Sequence, residues 1–279
     1  MALKKLPEIE SLLVQRGLEY QVAYADTPED ATRLAGEAAA MKDIEGIIAV
    51  GGDGTLFQIV NGMVGSSVPL LFAPCGTGND FIKCLNLPQD PVAALKIQLA
   101  TPVNRIDVGR MNDIFFLNVS GTGFDVDVLR CAERHKLKYS GLKPYLMALV
   151  EAIKTYRPTT ALISVDGQPE ERASFAIISI GNGRYIGGGM KAVPDAIVND
   201  GLFDVVMVKP VSKLAILPLI AFYIAGKHIS IGLASVRRCR RLTLRCEGMT
   251  LNLDGELRSA DTAQFELFPA MLCVRIPNI

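Results

Sequence analysis

Two glycine-rich turns, each entered from an apolar run and left through a helical pattern, constrain this chain more than any other feature. Gly46 to Val50 reads as a buried strand that runs into Gly51-Gly52-Asp53-Gly54-Thr55. After it, Leu56, Ile59, Val60 and Met63 fall at i, i+3, i+4 and i+7 on one helix face. Val68 to Ala73 repeats the plan, followed by Pro74-Cys75-Gly76-Thr77-Gly78-Asn79-Asp80 and a short helix to Leu85. Upstream, Leu3 to Gly17 reads as helix, Leu18 to Ala25 as strand, and Pro28 to Met41 as helix with Thr27 as its N-cap. Strands alternating with helices predict a parallel sheet covered by helices. Ligands of such sheets collect outside the C-terminal ends of the strands, where both turns lie. A strand-to-helix turn aims backbone N–H groups and a positive helix end at one point, which suits phosphate oxygens. The plainer reading of Gly51 to Thr55 alone is a tight corner capped by Asp53.

From about Thr101 the pattern changes to short β-rich runs separated by turn signals. They are Asn104 to Arg110, Ile114 to Ser120, Thr160 to Val165, Ser174 to Ile180, Phe203 to Lys209, Arg241 to Cys246, Met249 to Leu253 and Gln264 to Pro269. These predict an antiparallel second domain, interrupted by helices over Leu142 to Tyr156 and Lys213 to Ile224. The expected division is residues 1–100, with the tail 270–279 returning to them, and residues 101–269. Gly121-Thr122-Gly123-Phe124-Asp125 echoes the Gly76 to Asp80 loop, but its flanks differ and it is read as coincidence.

Charge and composition exclude several classes of function. With 29 Lys plus Arg against 29 Asp plus Glu, the chain lacks the basic excess that a nucleic-acid partner requires, so any anion site is local. The longest uncharged apolar stretch, Leu214 to Gly226, has thirteen residues with Pro218 inside, short of the ~20 that span a bilayer. Lys4, Lys5, Glu8 and Glu10 interrupt any leader-like start, and a cytosolic protein is expected. Six cysteines (Cys75, Cys84, Cys131, Cys239, Cys246, Cys273) include no CxxC pair and are accompanied by two histidines, so they read as reduced and mostly buried rather than as a zinc site.

In the β-rich half, Tyr185-Ile186-Gly187-Gly188-Gly189-Met190 precedes Pro194-Asp195 and Asn199-Asp200-Gly201-Leu202-Phe203-Asp204. Asp254-Gly255-Glu256 follows Leu251 to Leu253 as a hairpin-like turn. Each piece alone could be an ordinary turn. Together, with Val60-Asn61-Gly62 and Gly181-Asn182-Gly183, and in this order, they resemble the diacylglycerol kinase catalytic-domain family of lipid kinases, more distantly related to sphingosine and ceramide kinases. NAD kinases and phosphofructokinases share the Gly-Gly-Asp-Gly turn and the broad fold, but not the Gly-Thr-Gly-Asn-Asp loop or the Tyr-x-Gly-Gly-Gly-Met segment.

The resemblance implies an α/β nucleotide-binding domain of NAD kinase/phosphofructokinase type and a mostly antiparallel β-sandwich domain. It implies transfer of the γ-phosphoryl group of ATP to a lipid hydroxyl, with diacylglycerol the leading acceptor. On the family pattern Gly51, Gly52, Asp53, Gly54, Thr55, Leu56, Phe57, Gln58, Gly76, Thr77 and Asn79 bind ATP. Asp53 and Asp80 organise Mg²⁺ and water, and Glu256 is the proton acceptor. Asp200 with the carbonyls of Ile197 and Leu202 matches a second, structural Mg²⁺ site. Contact with the inner leaflet of the membrane and a homodimer are both compatible with the resemblance.

The chain also departs from the family. Relatives open with a strand ending in an Asn-Pro-x-x-Gly loop, whereas Met1-Ala2-Leu3-Lys4-Lys5-Leu6 resembles the middle of the following helix, so that first strand is expected to be missing. Gln58 replaces the usual Glu, and Thr27 lies near a threonine that relatives place by the nucleotide. Arg237, Arg238, Arg240, Arg241 and Arg245 are either a membrane-facing cluster or a solvated face paired with acids. Other acceptors (a sphingoid base, ceramide, phosphatidylglycerol, NAD) and a silent nucleotide- or lipid-binding regulator are the alternatives.

Overall fold

The computed structural model describes residues 2–136, 139 and 143–277. The chain opens with α1 (Ala2–Gln15), α2 (Pro28–Ala40), β1 (Ile47–Gly51), α3 (Asp53–Met63), β2 (Leu70–Pro74), α4 (Asp80–Cys84) and α5 (Pro91–Leu99). Ile9, Leu12 and Leu13 give α1 one buried face, which packs on Leu71, Ala73 and Leu95. Thr27 caps α2 as its position predicts: its hydroxyl accepts from Asp30 N at 3.2 Å, and the Asp30 carboxylate accepts from Thr27 N at 3.3 Å. β1 and β2 are parallel, in register from Ile47↔Leu70 to Gly51↔Pro74, so α3 is the crossover of a βαβ unit.

There follow β3 (Val103–Met111), β4 (Ile114–Phe116), β5 (Val119–Gly123), α6 (Phe124–Lys136), α7 (Lys143–Thr155), β6 (Thr159–Val165), β7 (Glu171–Phe175) and β8 (Ile177–Gly181). The chain closes with β9 (Phe203–Val208), α8 (Lys213–Ile224), β10 (Ala234–Cys239), β11 (Arg241–Arg245), β12 (Thr250–Leu253), β13 (Glu256–Ser259) and β14 (Thr262–Arg275). One sheet runs β1-β2-β14-β11-β6-β7, with β3 paired to β14 and β4 to β3. The other runs β10-β9-β8-β5-β12-β13 and is antiparallel at every pairing. Phe116, Phe175, Phe203, Phe265, Ile178, Ile180, Leu251 and Leu253 fill the space between the sheets. Phe116 stacks on Phe203 with ring centres 5.7 Å apart. β14 ties the halves together: its first part pairs with β11, its ladder with β3 is interrupted between Phe268 and Leu272, and Val274 pairs in parallel with Leu70 of β2. The fold is therefore an α/β layer joined to an antiparallel sandwich, as expected.

Several local expectations are corrected. Leu18 to Ala25 forms no strand; among the described residues β1 pairs with β2 alone, and without a ladder partner the segment leaves Tyr20 and Tyr24 exposed. The run Ile114 to Ser120 is divided between the two sheets, because the Asp254 carboxylate takes the amides of Leu117, Asn118 and Val119 and turns the chain there. Ser174 to Ile180 is divided in the same way at Ala176, whose amide bonds the Val208 carbonyl. The predicted helix from Leu142 is described from Lys143, and Leu142 itself lies outside the described residues. The strand predicted to end at Pro269 continues to Arg275. α5, α6, β10 and β13 are further elements. The six cysteines are unpaired, five of them buried.

Candidate active site

β1 ends at Gly51 and α3 begins at Asp53, with Gly52 as an N-cap that offers no side chain. Leu56 N already bonds Gly52 O at 3.0 Å, so the free amides of this helix start are those of Asp53, Gly54 and Thr55. The Leu56 and Phe57 side chains are buried in the two cores beneath the turn. Gln58 points to α2, where its Oε1 accepts from the Thr32 hydroxyl at 3.0 Å.

The loop after β2 closes against this turn. Cys75 N donates to Gly51 O at 2.8 Å, and a Cβ on Gly76 would lie 2.5 Å from Gly52 Cα. Only glycine fits that crossing. Asn79, in the left-handed region at φ 48°, folds back so that its Oδ1 accepts from Gly76 N and its Nδ2 donates to Gly76 O, both at 3.0 Å. This shape presents Thr77 and Gly78 at the loop tip and sends Asp80 inward.

Three carboxylates and a lysine gather here. Asp53 Oδ1 accepts from Phe81 N at 3.2 Å, while Asp53 Oδ2 and Asp80 Oδ2 lie 3.1 and 3.7 Å from a Cβ built on Gly78. Burial pushes the Asp53 carboxyl up, and the Asp80 charge adds to it, against the amides of Asp80 and Phe81. Asp80 is 6% exposed, pairs with Lys83 Nζ at 2.8 Å and accepts from Gly188 N at 2.7 Å. Gly188 belongs to the turn Gly187 to Gly189, whose φ values of 59°, 89° and 127° suit glycine alone. The turn is closed by paired bonds between Ile186 and Met190, both 2.9 Å. Through this amide the sandwich half reaches across to a carboxylate of the α/β half. Glu256, the first residue of β13, brings its Oε1 to 3.8 Å from a Cβ built on Gly54, at the start of α3.

The hairpin that aims Glu256 is anchored by its neighbour. Asp254, at φ 49°, accepts from Leu117 N at 2.7 Å and from Asn118 N and Val119 N at 3.0 Å each. Burial pushes its carboxyl up to about 7, against the pull of these amides and with a further push from Asp53. Asn118 Nδ2 in turn holds Tyr185 O at 2.6 Å, and the fully buried Asn182 holds the carbonyls of Asp107 and Leu117.

Comparison with known proteins adds to this geometry. Residues 1–111 match the diacylglycerol kinase catalytic domain, and residues 118–276 match the YegS C-terminal NAD kinase beta sandwich-like domain. A diacylglycerol kinase of Mycobacterium tuberculosis is 30% identical over 272 residues, which cover 95% of this chain and 87% of that protein. The chain belongs to the diacylglycerol kinase family of lipid kinases. A relative from Klebsiella pneumoniae, named "Probable lipid kinase YegS-like", is 32% identical over 98% of this chain and 91% of its own length. The fold has the same kinship: a diacylglycerol kinase structure from Bacillus anthracis superposes with a TM-score of 0.72 at 22% identity, covering 96% of this chain and 91% of that one. An NAD kinase from Archaeoglobus fulgidus in complex with ATP gives 0.53 at 14% identity, covering 97% and 89%.

In this member of the diacylglycerol kinase family, Asp53, Asp80, Glu256, Gly51 to Thr55, Gly76, Thr77 and Asn79 come together at one sheet edge. Asp200, Ile197 and Leu202 lie elsewhere, in the loop before β9. There Asp107 fixes the chain by accepting from Gly201 N at 2.7 Å and Ala270 N at 2.8 Å. Among the described residues the Ile197 and Leu202 carbonyls accept no hydrogen bond, whereas Arg238 pairs with Asp200 and, at 2.9 Å, with Asp204. The arginine run is mostly neutralised: Arg237 pairs with Glu171, Arg241 with Glu266 at 2.9 Å and Arg245 with Glu170 at 3.2 Å. Lys83 and Asn118 are site residues that sequence reasoning passed over, and Asn182 was read as part of the Gly181-Asn182-Gly183 motif without a role. Lys83 sits three residues after Asp80 on the same helical turn, a spacing that was available to find it.

Proposed function

We propose that the protein transfers the γ-phosphoryl group of ATP to a lipid hydroxyl, with diacylglycerol the leading acceptor. The observation that supports this most is the meeting of Asp53, Asp80 and Glu256 at the start of α3, where the two halves of the chain touch. In this reading residues 1–100 with the tail 270–279 carry the nucleotide, and residues 101–269 carry the lipid. The ATP phosphates lie on the turn Gly51 to Thr55, against the free amides of Asp53, Gly54 and Thr55, with Gly76, Thr77 and Asn79 closing the opposite side, while Gln58 turns to Thr32 on α2. Leu56 and Phe57 hold that turn from below.

Asp53 and Asp80 fit a Mg²⁺ ion held by two carboxylates and substrate phosphates, since their oxygens converge on Gly78 with the loop tip open beside them. When bound, Mg²⁺ offsets charge on the phosphate oxygens. Glu256 accepts the proton of the lipid hydroxyl as its oxygen attacks the γ-phosphorus, and ADP departs with the electrons of the broken P–O bond. Lys83 pairs with one oxygen of Asp80 and aims it, and Gly188 N holds the other.

Label transfer from γ-labelled Mg-ATP into a micellar panel of diacylglycerol, sphingosine, ceramide and phosphatidylglycerol tests the reading. Labelled phosphatidic acid is the expected product. Label in another lipid would keep the kinase and replace the acceptor. No labelled lipid would favour a silent nucleotide-binding protein.

Asp200 with the Ile197 and Leu202 carbonyls fits a structural Mg²⁺ site, since both carbonyls are free, provided that the ion displaces Arg238. Mg²⁺ is then expected to raise the melting temperature of the wild-type protein. Asp200→Ala is expected to abolish that rise; an identical Mg²⁺ response in the variant would remove the site.

A further inference from the structure

We propose that the outward faces of α7 and α8 form a docking surface for an anionic lipid bilayer. The proposal rests on the lipid-kinase reading for what the bilayer supplies, although docking itself needs no phosphoryl transfer.

α8 carries no charged residue between Lys213 and Lys227. Its inner face, with Ile216, Ile220 and Tyr223, packs on Val206, Val208 and Ala234. Its outer face ought to be polar if it met only water. Instead Leu214 is 91% exposed and Leu217 60%, with Phe222 and Ile224 exposed behind them. α7 shows a second stripe in which Lys143, Leu146, Val150 and Lys154 recur at helical spacing and all face solvent. The helices adjoin: Lys213 Nζ donates to the Lys154 carbonyl, and Val211 N donates to the Tyr156 hydroxyl at 3.4 Å. Single exposed apolar residues need no explanation, but a double stripe on neighbouring helices does.

The rim selects the occupant. Lys143, Lys154, Lys209, Lys213 and Lys227 are exposed and, among the described residues, none is in an ion pair. The acid on α7, Glu151, is held by Arg134 at 2.8 Å and His135 at 2.9 Å. Lys209 and Lys213 donate only to backbone carbonyls, so an apolar patch flanked by lysines without an acidic partner complements anionic headgroups over acyl chains. A two-fold contact with another copy would lay the lysine rim on itself with no acid to answer it. The arginine run, by contrast, is already matched by carboxylates. At twelve residues α8 is about 18 Å long, too short to cross a bilayer, so it lies in the interface.

The patch also adjoins the reaction site. Lys191 N donates to the Ile224 carbonyl at 3.2 Å, and His228 Nε2 donates to Ala192 O at 3.1 Å. Lys191 and Ala192 directly follow the turn whose Gly188 amide holds Asp80. The C-terminal end of α8 is thereby tied, through Lys191 and Ala192, to the turn that holds Asp80.

The chain has no Trp, so Leu217→Trp gives a single reporter. With vesicles of phosphatidylcholine and phosphatidylglycerol, its emission is expected to shift to the blue and to be quenched by spin-labelled acyl chains, less so with phosphatidylcholine alone or in high salt. Leu214→Glu with Leu217→Glu is expected to lower co-sedimentation with the anionic vesicles by about tenfold or more at unchanged melting temperature. An unquenched reporter, or co-sedimentation unchanged in the double variant, would overturn the proposal. So would a reporter already blue-shifted without lipid in a protein of dimeric mass, with the double variant monomeric, since a second copy would then cover the patch. Docking without label transfer to any lipid would support this surface and count against the kinase reading alone.

Discussion

Glu256→Gln is expected to lower phosphoryl transfer to lipid by about 10²- to 10⁴-fold while leaving nucleotide affinity within a factor of about two. Glutamine keeps the size of the side chain and an acceptor oxygen, but it cannot take up the hydroxyl proton. The separation of effects follows from the geometry. The nucleotide side proposed above consists of amides from Asp53 to Thr55 and the loop held by Asn79, none of which depends on the charge of Glu256. Glu256 is half-buried beside Arg258 at 3.7 Å, on a hairpin fixed by Asp254 rather than by its own contacts, so the substitution should not disturb the fold. Calorimetric titration with ADP alongside initial rates checks both parts. Undiminished transfer would remove Glu256 as the base, and equal loss of binding and turnover would mean that it serves the nucleotide instead.

The second large effect is on stability. Asp254→Ala leaves the amides of Leu117, Asn118 and Val119 without their acceptor at the point where the chain crosses between sheets. At about 1–3 kcal/mol for each buried unsatisfied group, a loss of about 3 kcal/mol or more is expected. For a chain of this size that is a fall in melting temperature of roughly 6–12 °C. The same carboxyl makes stability depend on pH. Its ordinary value is 3.8 and burial raises it to about 7, so between those values the folded protein holds a proton that the unfolded chain has released. Stability contributed by this group is complete below about pH 4, falls as pH rises, and is lost above about pH 7. Asp125, pushed up to about 6 by burial, acts in the same direction. Asp254→Asn, which cannot ionise, is expected to flatten the slope of denaturant midpoint against pH in that window. A variant slope as steep as that of the wild type would show that Asp254 does not titrate there.

What was legible from sequence was local. The turn Gly51 to Thr55, the loop Gly76 to Asp80, the cap at Thr27 and the hairpin at Asp254 to Glu256 each specify their own backbone within a few residues, and each is found where it was expected. What was not legible depends on residues far apart in the chain. Ile114 to Ser120 reads as one strand because nothing within it announces that Asp254 will take three of its amides. Leu18 to Ala25 has strand composition, but a strand exists only with a partner. The basic character of Arg237 to Arg245 was visible, yet Glu170, Glu171, Asp200, Asp204 and Glu266, which neutralise most of it, arrive from distant strands and loops. The uncharged run Leu214 to Gly226 was visible too; its outward exposure became apparent only once its inner face had been packed.

The central claim is that this site moves the terminal phosphoryl group of ATP onto a lipid hydroxyl. It is tested most directly by incubating the protein and Mg²⁺ with diacylglycerol micelles and ATP labelled in turn at the α and the γ phosphorus, then isolating the lipid. The account predicts label in phosphatidic acid from γ-labelled ATP and none from α-labelled ATP. Lipid free of label from both, in a protein that binds ADP, would contradict it.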